Sequence, residues 1–437
     1  MKIKLNLTVL ILLGSICMPS YGQFGPGAAK AQREDVTEIE TEELRNTWAD
    51  MYTGPALDVA IPVFDPNIPG DPSKWQAEGI WPELRRAESV WFAKKLAEAL
   101  EQTGIFNSVL VVPDTAVSAD LYLMGTLKES NGEDLEIELK LFATTGKELM
   151  RKKKMKARVP ENWYLDPRTQ NQDPYAQTYV SAANEIVSEL LKIAKKDEKL
   201  RKKNEKYIAK NNLKRVKLEA LEEIRVVRHA QYGEVLSEEE FGGVTKRSKK
   251  GILSVSYIPD QEQDNWMRVG SVVSADLRFN QLMDTSYDEL TTSMADSYRY
   301  WQKDAYPIAK GQREAKAARN RAVFGALLTA AVAANVGSNS SSTAGQTAAV
   351  TAAVASVAAA TKAFQENEES KQLAVQLNEL GNSVSAVLSP KVIKMESKEV
   401  ELTGTATEQQ QQWSTLLKEW YETGVEDFGG VEIVSAS

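Results

Sequence analysis

The stretch from Leu57 to Arg158 constrains the fold most, because its hydrophobic period switches in a fixed order between the strand and helix values. The run Leu57-Asp58-Val59-Ala60-Ile61-Pro62-Val63-Phe64 reads as a buried strand. After a loop rich in Pro, Gly and Asp, the residues Val90, Phe92, Ala93, Leu96, Ala97 and Leu100 share one face at helical spacing. Pro82 suits the first turn of that helix and Gly104 its stop. Phe106 to Val112 predicts a second strand. Leu121-Tyr122-Leu123-Met124-Gly125-Thr126-Leu127 and Leu135-Glu136-Ile137-Glu138-Leu139-Lys140-Leu141 follow. The latter alternates apolar and charged residues, so one of its faces is wet. Asn131-Gly132 between them is a hairpin signal. Thr145-Gly146 then turns the chain into a strand ending in Arg151-Lys152-Lys153-Lys154. Strand, helix, strand and antiparallel meander define an α+β layer and not a doubly wound nucleotide fold.

An apolar strand ending in Pro62-Val63-Phe64, a helix carrying Leu96-Ala97-Glu98-Ala99-Leu100, then Gly104-Ile105-Phe106, Ala119-Asp120-Leu121-Tyr122-Leu123-Met124-Gly125 and a meander broken at Thr145-Gly146-Lys147 come in sequence. This arrangement resembles the periplasmic domain shared by the curli-secretion-channel (CsgG) family, the amino-terminal domain of TolB and related penicillin-binding-protein activators. The resemblance spans residues 54–196 and its motifs are structural. It implies an envelope protein that binds other proteins, with no catalytic residue. Members of the curli-channel family are acylated. Here Gly14 and Ile16 precede Cys17 where a lipobox has Leu and a small residue, so the chain departs from that pattern.

The beginning of the chain points to the same compartment. Lys2 and Lys4 precede an apolar run from Leu5 to Leu13, and Ser20-Tyr21-Gly22 supplies small residues for signal peptidase. Residues 1–22 are therefore expected to be a signal peptide cleaved between Gly22 and Gln23, and the protein to be exported, periplasmic or outer-membrane-associated. If Cys17 leaves with that peptide, disulfides and thiolate chemistry leave with it, since it is the sole cysteine. A net charge of −8 over 437 residues gives no global basic field for nucleic acid.

Residues 23–53 read as an acidic linker, through Glu34-Asp35-Val36-Thr37-Glu38-Ile39-Glu40-Thr41-Glu42-Glu43. The α+β domain of residues 54–196 closes with an amphipathic helix from Tyr175 to Ala194, after a polar loop from Val159 to Pro174. Residues 197–235 lack Pro and contain no Gly before Gly233, and are expected to continue as one long charged helix. Its basic part, from Lys195 to Lys217, is either a solvated face or a face for anionic lipid or acidic partners. Residues 236–285 read as a small β element, with strands over Ile252–Ile258 and Val269–Phe279.

Residues 286–390 read as helical, opening on the stripe Tyr287, Leu290, Met294, Tyr298 and Trp301. Between Arg321 and Lys362 no residue is charged. Ala322–Val336 and Ala348–Phe364 are expected to form a tight Ala-rich αα-hairpin, 322–364, either packed in a bundle or oligomer or inserted in a membrane. Leu373, Leu377, Leu380, Val384 and Leu388 continue an apolar stripe. Residues 391–437 predict a strand pair and a last helix. There Thr407-Glu408-Gln409-Gln410 reads as a capping box, and Trp413, Leu416, Leu417, Trp420 and Tyr421 as a face buried against the Ala-rich helices.

The fold expected is thus α+β: a sheet-and-helix domain, then a mostly α-helical half. No phosphate loop or dinucleotide glycine pattern occurs, and the sole histidine, His229, lies in a charged helix, so His-based triads and His clusters are excluded. No catalytic, cofactor-binding or metal-binding residue stands out, and no cofactor is expected. A carboxylate-pair hydrolase stays open, since its acids can lie far apart in sequence. The leading expectation is a non-enzymatic envelope assembly factor whose partners are envelope proteins and a second copy of the chain. The alternative is a pore or anchor that touches the membrane through 322–364. Neither nucleic acid nor a small-molecule substrate is expected.

Overall fold

The computed structural model describes residues 48–78, 80–257, 264–336, 391–395, 398–425, 428 and 430–435. The expected signal peptide, most of the acidic linker, the second arm of the Ala-rich hairpin and the stripe from Leu373 to Leu388 lie outside these residues.

The fold is α+β. A five-stranded sheet has the order β2-β1-β3-β4-β5. β1 (Asp58–Pro62) runs parallel to β2 (Ser108–Val112) and to β3 (Leu121–Ser130). A parallel pair needs a crossover, and α1 (Ser73–Glu78) and α2 (Pro82–Glu101) make it between β1 and β2. β3, β4 (Asp134–Ala143) and β5 (Glu148–Arg158) form the antiparallel meander, turning at Gly132 (φ +85°) and Gly146 (φ +80°). α3 (Ala176–Ala209) lies beside α2 on the same face. Leu121, Leu123, Leu127, Ile137, Leu139 and Leu141 bury their side chains under Val90, Phe92, Leu96, Ile186, Val187 and Leu190. The alternation in β4 leaves Glu136, Lys140 and Phe142 on the other, partly wet face.

The single long charged helix expected over 197–235 is broken. α3 ends at Ala209, a single helical turn occupies Leu213–Arg215, and α4 (Ala220–Leu236) starts afresh. The break needs neither Gly nor Pro, because Asn211 takes the left-handed conformation (φ 52°), which asparagine tolerates. The Asp197 carboxylate of α3 then receives the N–H groups of Ala220 and Leu221, both at 2.9 Å, and so caps α4 from a neighbouring helix.

The small β element expected over 236–285 is mostly helix. After α5 (Glu238–Phe241) the described residues form a short hairpin, β6 (Thr245–Arg247) with β7 (Leu253–Val255). Val269–Phe279, expected as a strand, belongs to α6 (Asp264–Val336), a helix of 73 residues. The valines there favour strand locally, but Trp266, Val269, Val272, Ala275, Phe279 and Met283 recur at helical spacing and are all buried.

α6 runs through two cores. Trp266 to Met283 packs with Val226 and Ala230 of α4, with Phe241, and with the C-terminal elements β8 (Lys391–Met395), β9 (Lys398–Leu402), α7 (Ala406–Glu422) and β10 (Glu432–Ser435). Tyr287, Met294, Tyr298, Trp301 and Ala305 join the core of the sheet domain. The boundary expected at residue 285 therefore falls inside one continuous helix. The aromatic face of α7, expected against the Ala-rich helices, is buried instead against Trp266–Met283 of α6 and against α4: Trp413 stacks on Phe279 at 5.1 Å. The α7 cap also differs from expectation. Thr405, not Thr407, is the N-cap, with Glu408 returning its carboxylate to the Thr405 N–H at 2.7 Å. Gly424 (φ +89°) follows that helix as expected. β8 and β9 pair antiparallel as expected, and β10 adds to β8.

Candidate functional site

The buried charges of this molecule converge on α6 and α4. Asp284 of α6 accepts from the Lys94 ammonium at 2.9 and 2.8 Å and from the Val111 N–H at 2.8 Å. β2 is an edge strand, so this carboxylate covers an edge that would otherwise present unpaired backbone. Lys94 also pairs with Asp288 at 2.7 Å. Burial pushes the Asp284 carboxyl up despite the opposing charge of Lys94.

Nearly two helical turns before Lys94 on α2, Glu88 is fully buried between that helix, β3 and α6. One carboxylate oxygen accepts from Ser130 and from the Tyr298 hydroxyl of α6 (2.9 Å); the other has no hydrogen-bond partner and lies 3.8 Å from Arg85. Burial raises its pKa to about 7, against the pull of Arg85. Asp276 of α6 is the counterpart in the second core. It accepts from the Trp413 indole at 3.2 Å and from the Gln410 amide at 3.5 Å, and burial raises it to about 6.

At the start of the parallel strands, Arg228 of α4 pairs with Asp58 and, at 3.5 Å, with Asp120, and it donates to the Ser118 carbonyl at 3.1 Å. Burial acts to raise Asp58, but Arg228, Ser108 and Asn107 outweigh it and hold the carboxyl below its usual range. Asp120 goes the other way: burial lifts it above that range. The sequence left this close carboxylate pair hidden, since its members are 62 residues apart. Both acids are committed to a guanidinium that cannot give up its proton, which makes the cluster a clasp between α4 and the sheet.

A cleft of about 450 Å³ opens where α6 leaves the sheet domain, lined by Glu133, Arg158, Pro160, Tyr306, Lys310 and Arg313. Its charges are mutually paired: Arg313 to Glu133 at 2.8 Å, Lys310 to Glu161 at 2.5 Å, and Arg158 to Asp134 at 2.6 Å. The Arg313 pair is the farthest along α6 among the described residues, and the helix continues from there to Val336. That end coincides with the first arm, Ala322–Val336, expected from sequence. Among the described residues no helix is long and apolar enough to cross a membrane, and no cluster of His, Cys, Asp and Glu is arranged to hold a metal.

His229 sits in α4, with Nε2 2.9 Å from the Trp266 carbonyl and its ring 4.0 Å from the Trp266 ring; burial lowers its pKa. It is a packing residue between α4 and α6. The expected cleavage position between Gly22 and Gln23 lies outside the described residues. Comparison with protein-family models, with curated proteins and with solved structures gave no match.

Proposed function

We propose that this chain is an exported, non-enzymatic assembly factor of the bacterial cell envelope, in which the sheet domain contacts partner proteins and α6 presents the Ala-rich segment for docking or self-association. The observation that carries this reading is the anchoring of α6. Lys94, Glu88, Glu133 and Glu161 fix it to the sheet domain over residues 284–313, and it then continues as helix into the charge-free run. At about 1.5 Å per residue, the 73-residue helix is about 110 Å long. A helix held so firmly at one part of its length suits a scaffold that carries a docking segment at a fixed place. The signal-peptide pattern and the resemblance of residues 54–196 to periplasmic protein-binding domains support the envelope setting.

The test is the size and composition of the native complex after gentle detergent extraction. Stable co-purifying envelope proteins or a homo-oligomer are expected. A lone monomer without partners would overturn the reading. Carbonate washing of the membranes distinguishes the alternative: a protein inserted through 322–364 stays with the membrane pellet, and a peripheral one is released.

A further inference from the structure

The connection between α3 and α4 holds apolar side chains in water. Every residue from Ile208 to Lys217 is exposed, including Ile208 (54%), Leu213 (62%) and Val216 (37%). In a slack loop such side chains would fold back onto the nearest apolar surface. Here the backbone is clamped from inside. The Asn204 amide donates to the Lys217 carbonyl at 2.7 Å and accepts from the Lys217 N–H at 3.2 Å. Asn211 fixes the turn in the left-handed conformation, and Asp197 ties down the start of α4.

Around these side chains the charge is one-sided. Between Lys199 and Lys217 the sole carboxylate is Glu205. Arg201 is paired with Glu219 and Lys202 with Glu198. Among the described residues, Lys199, Lys206, Lys210, Lys214 and Lys217 have no carboxylate partner, and Lys203 and Arg215 flank the Tyr207 ring at 5.8 and 5.9 Å.

We propose that this tip docks on an anionic phospholipid surface, its cations meeting headgroup phosphates while Ile208, Leu213 and Val216 enter the interfacial layer. The geometry favours lipid over an acidic protein. No residue of Leu213–Arg215 is buried, and the exposed Ile208, Leu213 and Val216 are interspersed along the chain with Lys206, Lys210, Lys214, Arg215 and Lys217. A bilayer surface takes exposed apolar side chains flanked by cations without requiring a matching shape, whereas a protein partner would need one. Anionic headgroups attract each basic residue near the surface, and the apolar tips add to that attraction. The inference does not depend on the assembly role proposed above and concerns a different part of the chain from 322–364.

The test is flotation of the purified full chain with vesicles. Binding is expected to vesicles of equal parts phosphatidylglycerol and phosphatidylcholine, and not to phosphatidylcholine alone. Replacing Lys206→Gln, Lys210→Gln and Lys214→Gln together is expected to lower partitioning about a hundredfold. Leu213→Ser with Val216→Ser, at unchanged charge, is expected to lower it about tenfold. All these positions are exposed, so the variants should keep the wild-type melting temperature. Binding that these substitutions leave unchanged, or binding equal on both vesicle types, would overturn the proposal. So would lysine-dependent capture on polyglutamate resin with no vesicle binding, which would assign the tip to an acidic protein.

Discussion

Gly132 shows how tightly one residue can be specified. It turns the β3–β4 hairpin at φ +85°, and a Cβ there would stand 2.8 Å from the Gln302 carbonyl oxygen and 3.0 Å from the Ala305 Cβ of α6. The hairpin tip therefore lies directly under the long helix. Gly132→Ala meets both a left-handed backbone and a backbone obstacle, so it should cost more than the roughly 1 kcal/mol of an ordinary strained position, read as a lower urea midpoint. Asn131-Gly132 was legible as a hairpin from sequence; the close approach of α6 was not, because it joins residues about 170 positions apart. Lys94 gives a second test at this scale. Lys94→Ala leaves Asp284 buried beside β2 with no cation at bonding distance, and should destabilise by about 3–5 kcal/mol. Adding Asp284→Asn should restore part of the loss, because an amide can still accept from the Val111 N–H without carrying charge.

At the scale of elements, local patterns sufficed wherever they alone decided the outcome. The alternation Leu135 to Leu141, the Asn-Gly turn and the aromatic spacing of Trp413, Leu417, Trp420 and Tyr421 all formed as read. The errors arose where a distant partner decided. Val269–Phe279 carries β-branched residues, yet Phe279 is needed against Trp413 and Asp276 beneath the Trp413 indole, and only a helix puts both there. The α3–α4 break was hidden because its cap comes from Asp197, 23 residues upstream of the N–H it receives at Ala220, instead of from a residue at the helix start. The Asp58–Asp120–Arg228 clasp was hidden for the same reason. Removing the distant cap is therefore a direct test: Asp197→Ala should cost about 1–2 kcal/mol, and hydrogen exchange should show faster exchange of the Ala220 and Leu221 amides. A variant with unchanged protection there would show that α4 does not depend on this contact.

For the whole molecule, the buried acids predict an unusual response to pH. Glu88 fixes α6 to the sheet domain and Asp276 fixes α7 to α6, so both cores hold a carboxyl in the dry interior. Near Asp276 two buried acceptors, Asn280 Oδ1 and Gln410 Oε1, have no donor among the described residues. Burial lifts Glu88 to about 7 and Asp276 to about 6, above the unfolded range near 4. Since the folded values exceed the unfolded ones, folding takes up protons between them. The stability this contributes is complete below about pH 4 and is lost as the pH rises through about 6 for Asp276 and about 7 for Glu88. Each proton taken up gives a slope of at most about 1.4 kcal/mol per pH unit. Urea denaturation at pH 5.5 and pH 8 is the measurement, and the unfolding free energy should be larger at the lower pH. In Glu88→Gln with Asp276→Asn, where the neutral forms are fixed, stability at pH 8 should rise and the difference between the two pH values should shrink. A double variant that keeps the wild-type pH dependence would show that other buried acids, Asp120, Asp173 and Asp284 among them, hold the protons instead.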